Sequence, residues 1–249
     1  MSNIIQSLWI GPSLTIMEQM SIKSFLKNGH EYHLYTYGDV ANIPEGTIVK
    51  DGNEILPASE IYRYKTGSVS AFSNLFRFTM LYKKGGYWAD TDLVCIKPID
   101  FEEEYVFVSE PSDDYKNSII CAGLIKLPKG CEAAFQGMLI QKVHKKKILS
   151  GEIRWSSGPQ TVREVVFRCN LDRYILPWQT ICSCTYSDMK SITDPNYRPN
   201  DKIIIKLSDV PANMYGIHLW NEIWRYNKID KNGSYDKNSL YEELKNKYL

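Results

Sequence analysis

We predict an α/β fold for this chain from three stretches of its sequence. Residues 3–10 and 30–37 have the apolar and alternating character of short strands. Residues 16–25, between them, repeat apolar side chains at loosely helical spacing and end near a glycine. Residues 71–98 follow as a longer helix, a Gly-Gly break and an extended run. The first strand–helix–strand unit implies a parallel pair, so ligands should bind beyond the carboxyl ends of its strands.

The segment from residue 71 to residue 98 is the most informative part of the chain. One predicted helical face carries side chains at the i, i+3, i+4, i+7 and i+8 spacing of a buried surface: Phe72, Leu75, Phe76, Thr79 and Met80. Gly85 and Gly86 can take the left-handed backbone conformation that stops a helix. The extended run then reaches Asp90 and Asp92, which in a strand would point the same way, about 6–7 Å apart.

Asp90 and Asp92 together have the chemistry of a divalent-metal site. Two carboxylates this close repel by roughly 2–3 kcal/mol at an effective dielectric near 20, and a cation beside them reverses the sign. Oxygen ligands suit Mg²⁺ or Mn²⁺, which often share their coordination with substrate phosphates. A lone D-x-D also occurs as an ordinary solvated turn, but the helix, the Gly-Gly stop and the aromatic pair Tyr87-Trp88 before it favour a metal site.

The other elements are predicted from apolar runs and from the glycines and prolines that bound them. Strands or apolar runs are expected at residues 47–49, 93–96, 105–108, 119–127 with an interruption at Gly123, 202–207 and 214–224. Helices or helical turns are expected at residues 60–65, 131–144, from Pro159 onward, and 239–244. No internal repeat or linker composition marks a second domain, so we expect a single domain over residues 1–249.

The composition excludes several classes of protein. The chain has 249 residues, 43% hydrophobic and 24% charged, which is ordinary for a soluble globular protein. A net charge of +1 gives no global field that would favour nucleic acid. We expect no signal peptide and no membrane span. The six cysteines have neither disulfide-framework nor zinc-site spacing, which predicts reduced structural thiols and a cytoplasmic protein.

The run SNLFRFTMLYKKGGYWADTDL resembles the sugar-binding region of D-x-D glycosyltransferases, family 32 and its relatives, which include the clostridial glucosylating toxins. This resemblance implies a GT-A fold, a Rossmann-like nucleotide-sugar domain with a mixed central sheet. It implies that Asp90 and Asp92 hold a metal on the donor diphosphate, and that Arg77 contacts the donor sugar together with the side chain one turn earlier. That earlier side chain is Asn74, where the family usually has Asp. Trp88 stands where the family usually has Tyr. Asn74 can still bond sugar hydroxyls but carries no charge, so the identity of the donor stays open.

The end of the first strand extends the resemblance. Trp9, Ile10 and Gly11 match a W-I-G motif, whose aromatic residue in the family stacks on the nucleotide base. A core aromatic residue is the alternative interpretation of Trp9. The chain has neither a G-x-G-x-x-G nor a Walker motif, so a metal rather than a glycine-rich loop is expected to manage the phosphates.

The S-S-G-P-Q run at residues 156–160 resembles a family loop that lines the donor pocket, and proline suits the first turn of the helix that follows. The resemblance assigns Gly158 and Pro159 to donor binding, and a plain capped helix start is the alternative. Gln160 and Asp188 are candidates for the region beneath the anomeric carbon.

His218 is the last candidate ligand. A lone histidine in an apolar run is more often a core residue, but related enzymes place a histidine near their C-terminus where it reaches the metal or the diphosphate. On that basis Trp220 and Asn221 would line the same cleft. Cys121 occupies a position where related enzymes often have an asparagine near the sugar, and a thiol cannot replace its amide.

These observations predict a metal-dependent glycosyltransferase, and the family resemblance implies that it retains the anomeric configuration. It would move a sugar from a nucleotide-diphospho-sugar, in the first place a UDP-sugar, to a glycan or glycolipid acceptor in surface polysaccharide biosynthesis. Lysines 145–147 could contact anionic lipid head groups at the inner face of the membrane, or form a solvated helix end. The alternatives are a binding module without turnover and a glycosyltransferase that modifies a protein. A D-x-D phosphohydrolase is disfavoured because its motif would end the first strand.

Overall fold

The computed structural model describes residues 4–111, 119–153, 158–198, 203–204 and 206–249. The strands are β1 (Ile5–Leu8), β2 (Tyr32–Thr36), β3 (Ile48–Asp51), β4 (Gly86–Ala89), β5 (Leu93–Cys95), β6 (Val106–Ser109), β7 (Ile120–Leu127), β8 (Ile175–Leu176) and β9 (Gly216–His218). The α-helices are α1 (Ile16–Lys27), α2 (Ser70–Lys84), α3 (Glu132–Ser150), α4 (Gly158–Arg168), α5 (Asn221–Tyr226) and α6 (Leu240–Tyr248). Short 3-10 turns connect several of these elements.

Within the described residues, a mixed sheet of seven strands forms the centre of the protein, in the order β3-β2-β1-β4-β7-β6-β8. Strand β1 pairs in parallel with both β2 and β4, which confirms the predicted parallel opening unit. Strand β7 runs antiparallel to both β4 and β6, and this makes the sheet mixed. The carboxyl ends of β1, β4 and β6 therefore lie at one edge of the sheet.

Alternation of side chains along the strands separates two apolar cores, one on each face of the sheet. In β4, Tyr87 and Ala89 belong to the core that contains α1 and α6, whereas Trp88 belongs to the core that contains α2. Helices α3 and α4 pack in the second core as well. Every residue of the predicted α2 face is buried, and Gly85 leaves that helix with φ of 69°, so both predictions for this helix are confirmed.

The structure corrects the prediction for the D-x-D segment. Strand β4 ends at Ala89, and Asp90 to Asp92 form a turn in which the Leu93 N–H donates to the Asp90 carbonyl at 3.1 Å. The expected continuation at residues 93–96 is instead β5, which pairs antiparallel with β9 in a second sheet. Helix α1 holds β5 there, because the Ser21 hydroxyl donates to the Leu93 carbonyl at 2.6 Å.

Other boundaries also differ from the predictions. Strand β7 passes through Gly123 without interruption. Helix α3 continues to Ser150, so lysines 145–147 lie inside it rather than at its end. The expected helical turn at residues 60–65 is replaced by an earlier 3-10 turn, Ala58–Glu60. Of the strand expected at residues 202–207, the described residues 203–204 and 206–207 are not in a strand, and the others lie outside the described residues.

The termini and cysteines of the described chain are also accounted for. Helix α6 buries Leu240, Tyr241, Leu244 and Tyr248, so its apolar side docks on the protein itself. All six cysteines are free thiols, as predicted. Within the described ranges, no helix combines the length and the apolar character that crossing a membrane requires.

Candidate active site

A cavity of about 930 Å³ lies where the carboxyl ends of β1 and β4 meet the start of α4 and the β9–α5 connection. All of the predicted site residues except Gly11 and Asp188 line it: Trp9, Ile10, Asn74, Arg77, Trp88, Asp90, Asp92, Gly158, Pro159, Gln160, His218, Trp220 and Asn221. Gly11 does not line the cavity. A Cβ atom there would lie 3.2 Å from Trp9 Nε1, so Gly11 makes room for the Trp9 ring.

The base of the cavity brings three potential metal ligands together. One ligand atom each from Asp90, Asp92 and His218 lies within 4.8 Å of the other two. The turn, rather than an extended strand, sets the spacing of the two carboxylates. Its ends are fixed by two backbone hydrogen bonds, from Asp90 N–H to the Gly123 carbonyl at 2.8 Å and from Leu219 N–H to the Asp92 carbonyl at 2.9 Å.

Asp90 is oriented by two buried side chains. Arg77 donates through Nη2 to Asp90 Oδ1 at 2.8 Å, and Trp88 donates through Nε1 to the same oxygen at 2.7 Å. The guanidinium lies 4.9 Å from the Trp88 ring centroid and also donates through Nη1 to Asn74 Oδ1 at 2.7 Å. A buried arginine requires such partners. In this structure, then, Arg77 and Trp88 hold the Asp90 carboxylate in place.

Asp92 and His218 form a second buried pair. His218 Nε2 lies 3.4 Å from Asp92 Oδ2, and the Asn221 N–H at the start of α5 donates to that oxygen at 2.7 Å. Burial alone raises the pKa of Asp92, but His218 and the Asn221 N–H outweigh it, so the pKa lies below its usual value. Burial likewise lowers the pKa of His218, but Asp92 and Cys121 raise it well above the usual value. Each side chain therefore stabilises the charged form of the other.

These residues fit a divalent cation. Two carboxylates and one imidazole are donors that Mn²⁺ and Mg²⁺ enzymes and related metal sites use. Gly123 leaves space in front of them, because a Cβ atom at that position would lie 3.5 Å from His218 Nε2 and 3.7 Å from Asp90 Oδ2. Asp90, Asp92 and His218 would hold the ion, with Arg77 and Trp88 supporting Asp90 from behind.

Trp9 marks one end of the cavity. Its ring is half-buried against the core and also lines the cavity, so the structure is compatible with both interpretations of this residue. Trp9 Nε1 is buried and has no hydrogen-bond partner in the described part of the chain. Lys231 Nζ lies 5.7 Å from the ring centroid.

The start of α4 and helix α2 meet on the other side of the cavity. A Cβ atom at Gly158 would lie 2.9 Å from Asn74 Oδ1, so only glycine allows this approach. Pro159 and Gln160 line the cavity as predicted, whereas Ser156 and Ser157 lie outside the described residues. Asp188 is not among the lining residues. It accepts a hydrogen bond from the Thr185 hydroxyl at 2.8 Å and starts a 3-10 helix.

Trp220 joins β9 to α5 with a left-handed backbone, at φ of 58° and ψ of 50°. This conformation is costly for a bulky residue, and strain of this kind concentrates at functional sites. It places the indole ring 4.3 Å from the His218 ring, centroid to centroid. Trp220 therefore covers the histidine on the inner side of the cavity.

Sequence reasoning missed Glu110, which follows β6 and lines the cavity. Its backbone N–H donates to the Ile119 carbonyl at 2.7 Å, and its carboxyl group lies close enough to the Cys121 thiol for that thiol to lower its pKa. Burial raises the pKa of Glu110 above its usual value, and His218 opposes that shift. Burial also raises the pKa of Cys121 to about 12, so this thiol is neutral. The rule that directed attention to the ends of β1 and β4 also points to a polar residue directly after β6.

Comparisons with known proteins agree with this geometry. Residues 17–110 match the family model described as the glycosyltransferase sugar-binding region containing a DXD motif. No curated protein gives a significant match. Among solved structures, PaToxG glycosyltransferase aligns with a TM-score of 0.51 and 14% identity, over 69% of this chain and 72% of that chain.

Two further solved structures are similar at lower scores. The apo-form glycosyltransferase GlyE of Streptococcus pneumoniae TIGR4 aligns with a TM-score of 0.49 and 13% identity, over 93% of this chain and 61% of that chain. The galactosyltransferase LgtC, in complex with donor and acceptor sugar analogs, aligns with a TM-score of 0.47 and 12% identity, over 86% of each chain. The D-x-D region of this chain therefore matches the sugar-binding region of a glycosyltransferase family, and its mixed α/β sheet has the GT-A fold.

Proposed function

We propose that the chain is a metal-dependent glycosyltransferase that uses a UDP-sugar as donor. The observation that carries this proposal is the meeting of Asp90, Asp92 and His218 ligand atoms within 4.8 Å at the base of a cavity whose other end carries Trp9. An aromatic ring for the base and a cation site for the diphosphate are the two recognition elements that a nucleotide-diphospho-sugar needs.

The side chains around the ligand cluster suit this role. When bound, a divalent cation would neutralise the charge that develops on the leaving diphosphate. Arg77 keeps Asp90 in position from inside the protein, and the Asn221 N–H does the same for Asp92. These contacts orient the two carboxylates before the ion binds.

The same proposal also assigns residues to the donor sugar and a class of acceptor. Asn74 and Arg77 lie one helical turn apart and face the cavity, where they can hydrogen-bond sugar hydroxyls. The family resemblance supports transfer with retention of the anomeric configuration, to a glycan or glycolipid in surface polysaccharide assembly such as that of lipopolysaccharide.

We place the enzyme in the cytoplasm with peripheral membrane contact. Of the three lysines considered for that contact, Lys145 pairs with Glu60 at 2.5 Å, which leaves lysines 146 and 147 for lipid head groups.

A second candidate is a nucleotide-sugar-binding module without turnover. It is favoured by the neutral Asn74 and Cys121, which occupy positions where other groups would be expected to bind the sugar. Binding of UDP with Mn²⁺ but no release of sugar from any donor would support it.

A donor screen tests the proposal. Purified protein is mixed with UDP-glucose, UDP-galactose, their N-acetyl forms or GDP-mannose, with Mn²⁺, Mg²⁺ or EDTA, and nucleotide release is measured. We expect release from one or two UDP-sugars, dependent on the metal and absent in EDTA. Equal release in EDTA would contradict the metal site, and release from GDP-mannose alone would contradict the UDP assignment.

A further inference from the structure

We propose that the Glu110 carboxylate binds hydroxyl groups of the transferred sugar and so determines which donor the enzyme accepts. This inference rests on the proposed function, because it assigns one end of the same cavity to the sugar. Glu110 was not identified from sequence, and neither the metal site nor the contacts of Arg77 require it.

The strand order gives Glu110 its place relative to the donor. Trp9 follows β1, Asp90 follows the neighbouring β4, Cys121 lies on β7 beside β4, and Glu110 follows β6 on the far side of β7. Neighbouring strands lie about 4.8 Å apart, so Glu110 is two strand spacings, about 10 Å, beyond Asp90 and on the side away from Trp9.

A nucleotide sugar is a linear ligand of base, ribose, diphosphate and sugar, and it must lie along this edge in that order. With the base near β1 and the diphosphate near β4, the sugar falls over β7 and the end of β6. Those positions carry Cys121 and Glu110. The sugar therefore lies beside Glu110, at the end of the cavity opposite the nucleotide base.

Glu110 also differs from the other acidic residues that line the cavity in the kind of side chain beside it. Within the described residues, the carboxylates that line the cavity are Asp90, Asp92, Glu110 and Glu222. Three of them lie beside a basic side chain, in the pairs Arg77–Asp90, His218–Asp92 and Arg225–Glu222. Among the described residues Glu110 forms no ion pair, and the neutral Cys121 thiol lies close enough to lower the pKa of its carboxyl group. A carboxylate has about four acceptor positions, so one thiol leaves capacity for further donors.

Sugar hydroxyls match that capacity better than a second cation would. They are neutral donors, and two adjacent hydroxyls can donate to the two oxygens of one carboxylate. Hydrogen bonds to a charged acceptor are stronger than neutral ones, and partial burial strengthens them further. Glu110 is half-buried, and the Glu110 N–H to Ile119 carbonyl bond at 2.7 Å holds its backbone. These properties suit discrimination between sugars that differ in one hydroxyl.

Glu110→Gln tests the inference, because it keeps the shape and removes the charge. Mn²⁺-dependent binding of UDP and of the preferred UDP-sugar is measured by calorimetry, and hydrolysis is measured across the five donors. We expect UDP affinity within about twofold of wild type, and UDP-sugar affinity or kcat/KM reduced about 10- to 100-fold. Glu110→Asp, which keeps the charge but withdraws it by one methylene, should change the ranking of the donors. Glu103→Gln is the matched control, since Glu103 is exposed just before β6.

The outcomes separate this inference from the proposed function. If wild-type protein binds no UDP and releases no sugar, the proposed function fails and the inference fails with it. If wild-type protein is active and Glu110→Gln weakens UDP and UDP-sugar equally, Glu110 acts on the nucleotide or metal end and the inference is overturned alone. Unchanged donor affinity and ranking in both Glu110 variants also overturns it. Melting temperatures of the variants show whether a loss is due to unfolding, in which case Glu110→Asp decides.

Discussion

The two walls of the cavity are built in different ways. The local wall, residues 74–92, is one continuous helix, turn and strand that carries Asn74, Arg77, Asp90 and Asp92. The assembled wall consists of Glu110, Cys121, Gly158, His218 and Trp220, which come from four separate parts of the chain. The order of helix, strand and turn in the local wall follows from neighbouring residues, and Gly123 and Leu219 then hold its turn through backbone hydrogen bonds. The assembled wall exists only after β6, β7, β9 and α4 have packed.

The candidate metal centre crosses the boundary between these walls. Asp90 and Asp92 belong to the local wall, whereas His218 reaches them through the pairing of β5 with β9, in which Leu93 lies opposite His218. Arg77 supports one carboxylate from within the local wall, and the Asn221 N–H supports the other from beyond His218. The comparison teaches that each aspartate depends on a different wall. Four substitutions test this difference.

Asp92→Asn should have the largest effect. The amide keeps an oxygen for the Asn221 N–H but removes a ligand charge, so metal-dependent donor hydrolysis should fall by about 100-fold or more. Nucleotide release with Mn²⁺ measures the loss, and circular dichroism checks the fold. Asp188→Asn, at a helix start outside the cavity, should leave turnover near wild type. Full activity of the Asp92 variant would remove the D-x-D turn from the mechanism.

Arg77→Ala should have the second-largest effect, and it acts on the local wall. It leaves Asp90 without its cation and removes the Arg77 donor from Asn74, and removing one partner of a buried pair costs about 3 kcal/mol. Chemical unfolding should show that loss of stability, and donor hydrolysis should fall more than UDP affinity. Arg77→Lys keeps the charge but cannot contact Asp90 and Asn74 at the same time. Its stability and its donor hydrolysis should therefore lie between those of wild type and Arg77→Ala. Equal loss of UDP and UDP-sugar affinity would make Arg77 a phosphate contact or a purely structural residue.

His218→Ala should remove one metal ligand from the assembled wall and leave the local wall, which carries Asp90 and Asp92, unchanged. We expect Mn²⁺ affinity to fall about 10-fold or more, in the range found when a metal site loses a supporting residue. Calorimetric titration of Mn²⁺ measures it. His144→Ala is the matched control, because His144 lies on α3 outside the cavity. If Mn²⁺ affinity is unchanged and only the melting temperature falls, His218 is a core histidine.

Asn74→Asp should have the smallest effect on stability, and it should show whether the local wall contacts the donor sugar. The new carboxylate would share Arg77 with Asp90, and because the site is buried its attraction to Arg77 is offset by the cost of burying a second charge, so we expect a small net change in the free energy of unfolding. If Asn74 contacts sugar hydroxyls, the ranking of donors should shift. An unchanged ranking across the donor screen would confine Asn74 to positioning Arg77.

The local wall could be predicted from the sequence almost residue by residue. The spacing of α2, its Gly-Gly stop and the two aspartates lie within one stretch, and helix periodicity and glycine conformations act over a few residues. The same holds for the parallel β1–α1–β2 unit. Candidate roles for Gly158, Pro159 and His218 came instead from family resemblance, which supplied residues but no distances.

Tertiary structure decided the rest, because it depends on contacts between distant residues. The two carboxylates are placed by a turn and not by an extended strand, since β5 leaves the main sheet to pair with β9. The partnership of Arg77 with Asp90 follows from α2 packing over the end of β4. Glu110 reaches the cavity only through the order of β4, β7 and β6 in the sheet. Sequence periodicity reports which face of an element is buried, but it does not report which other element buries it.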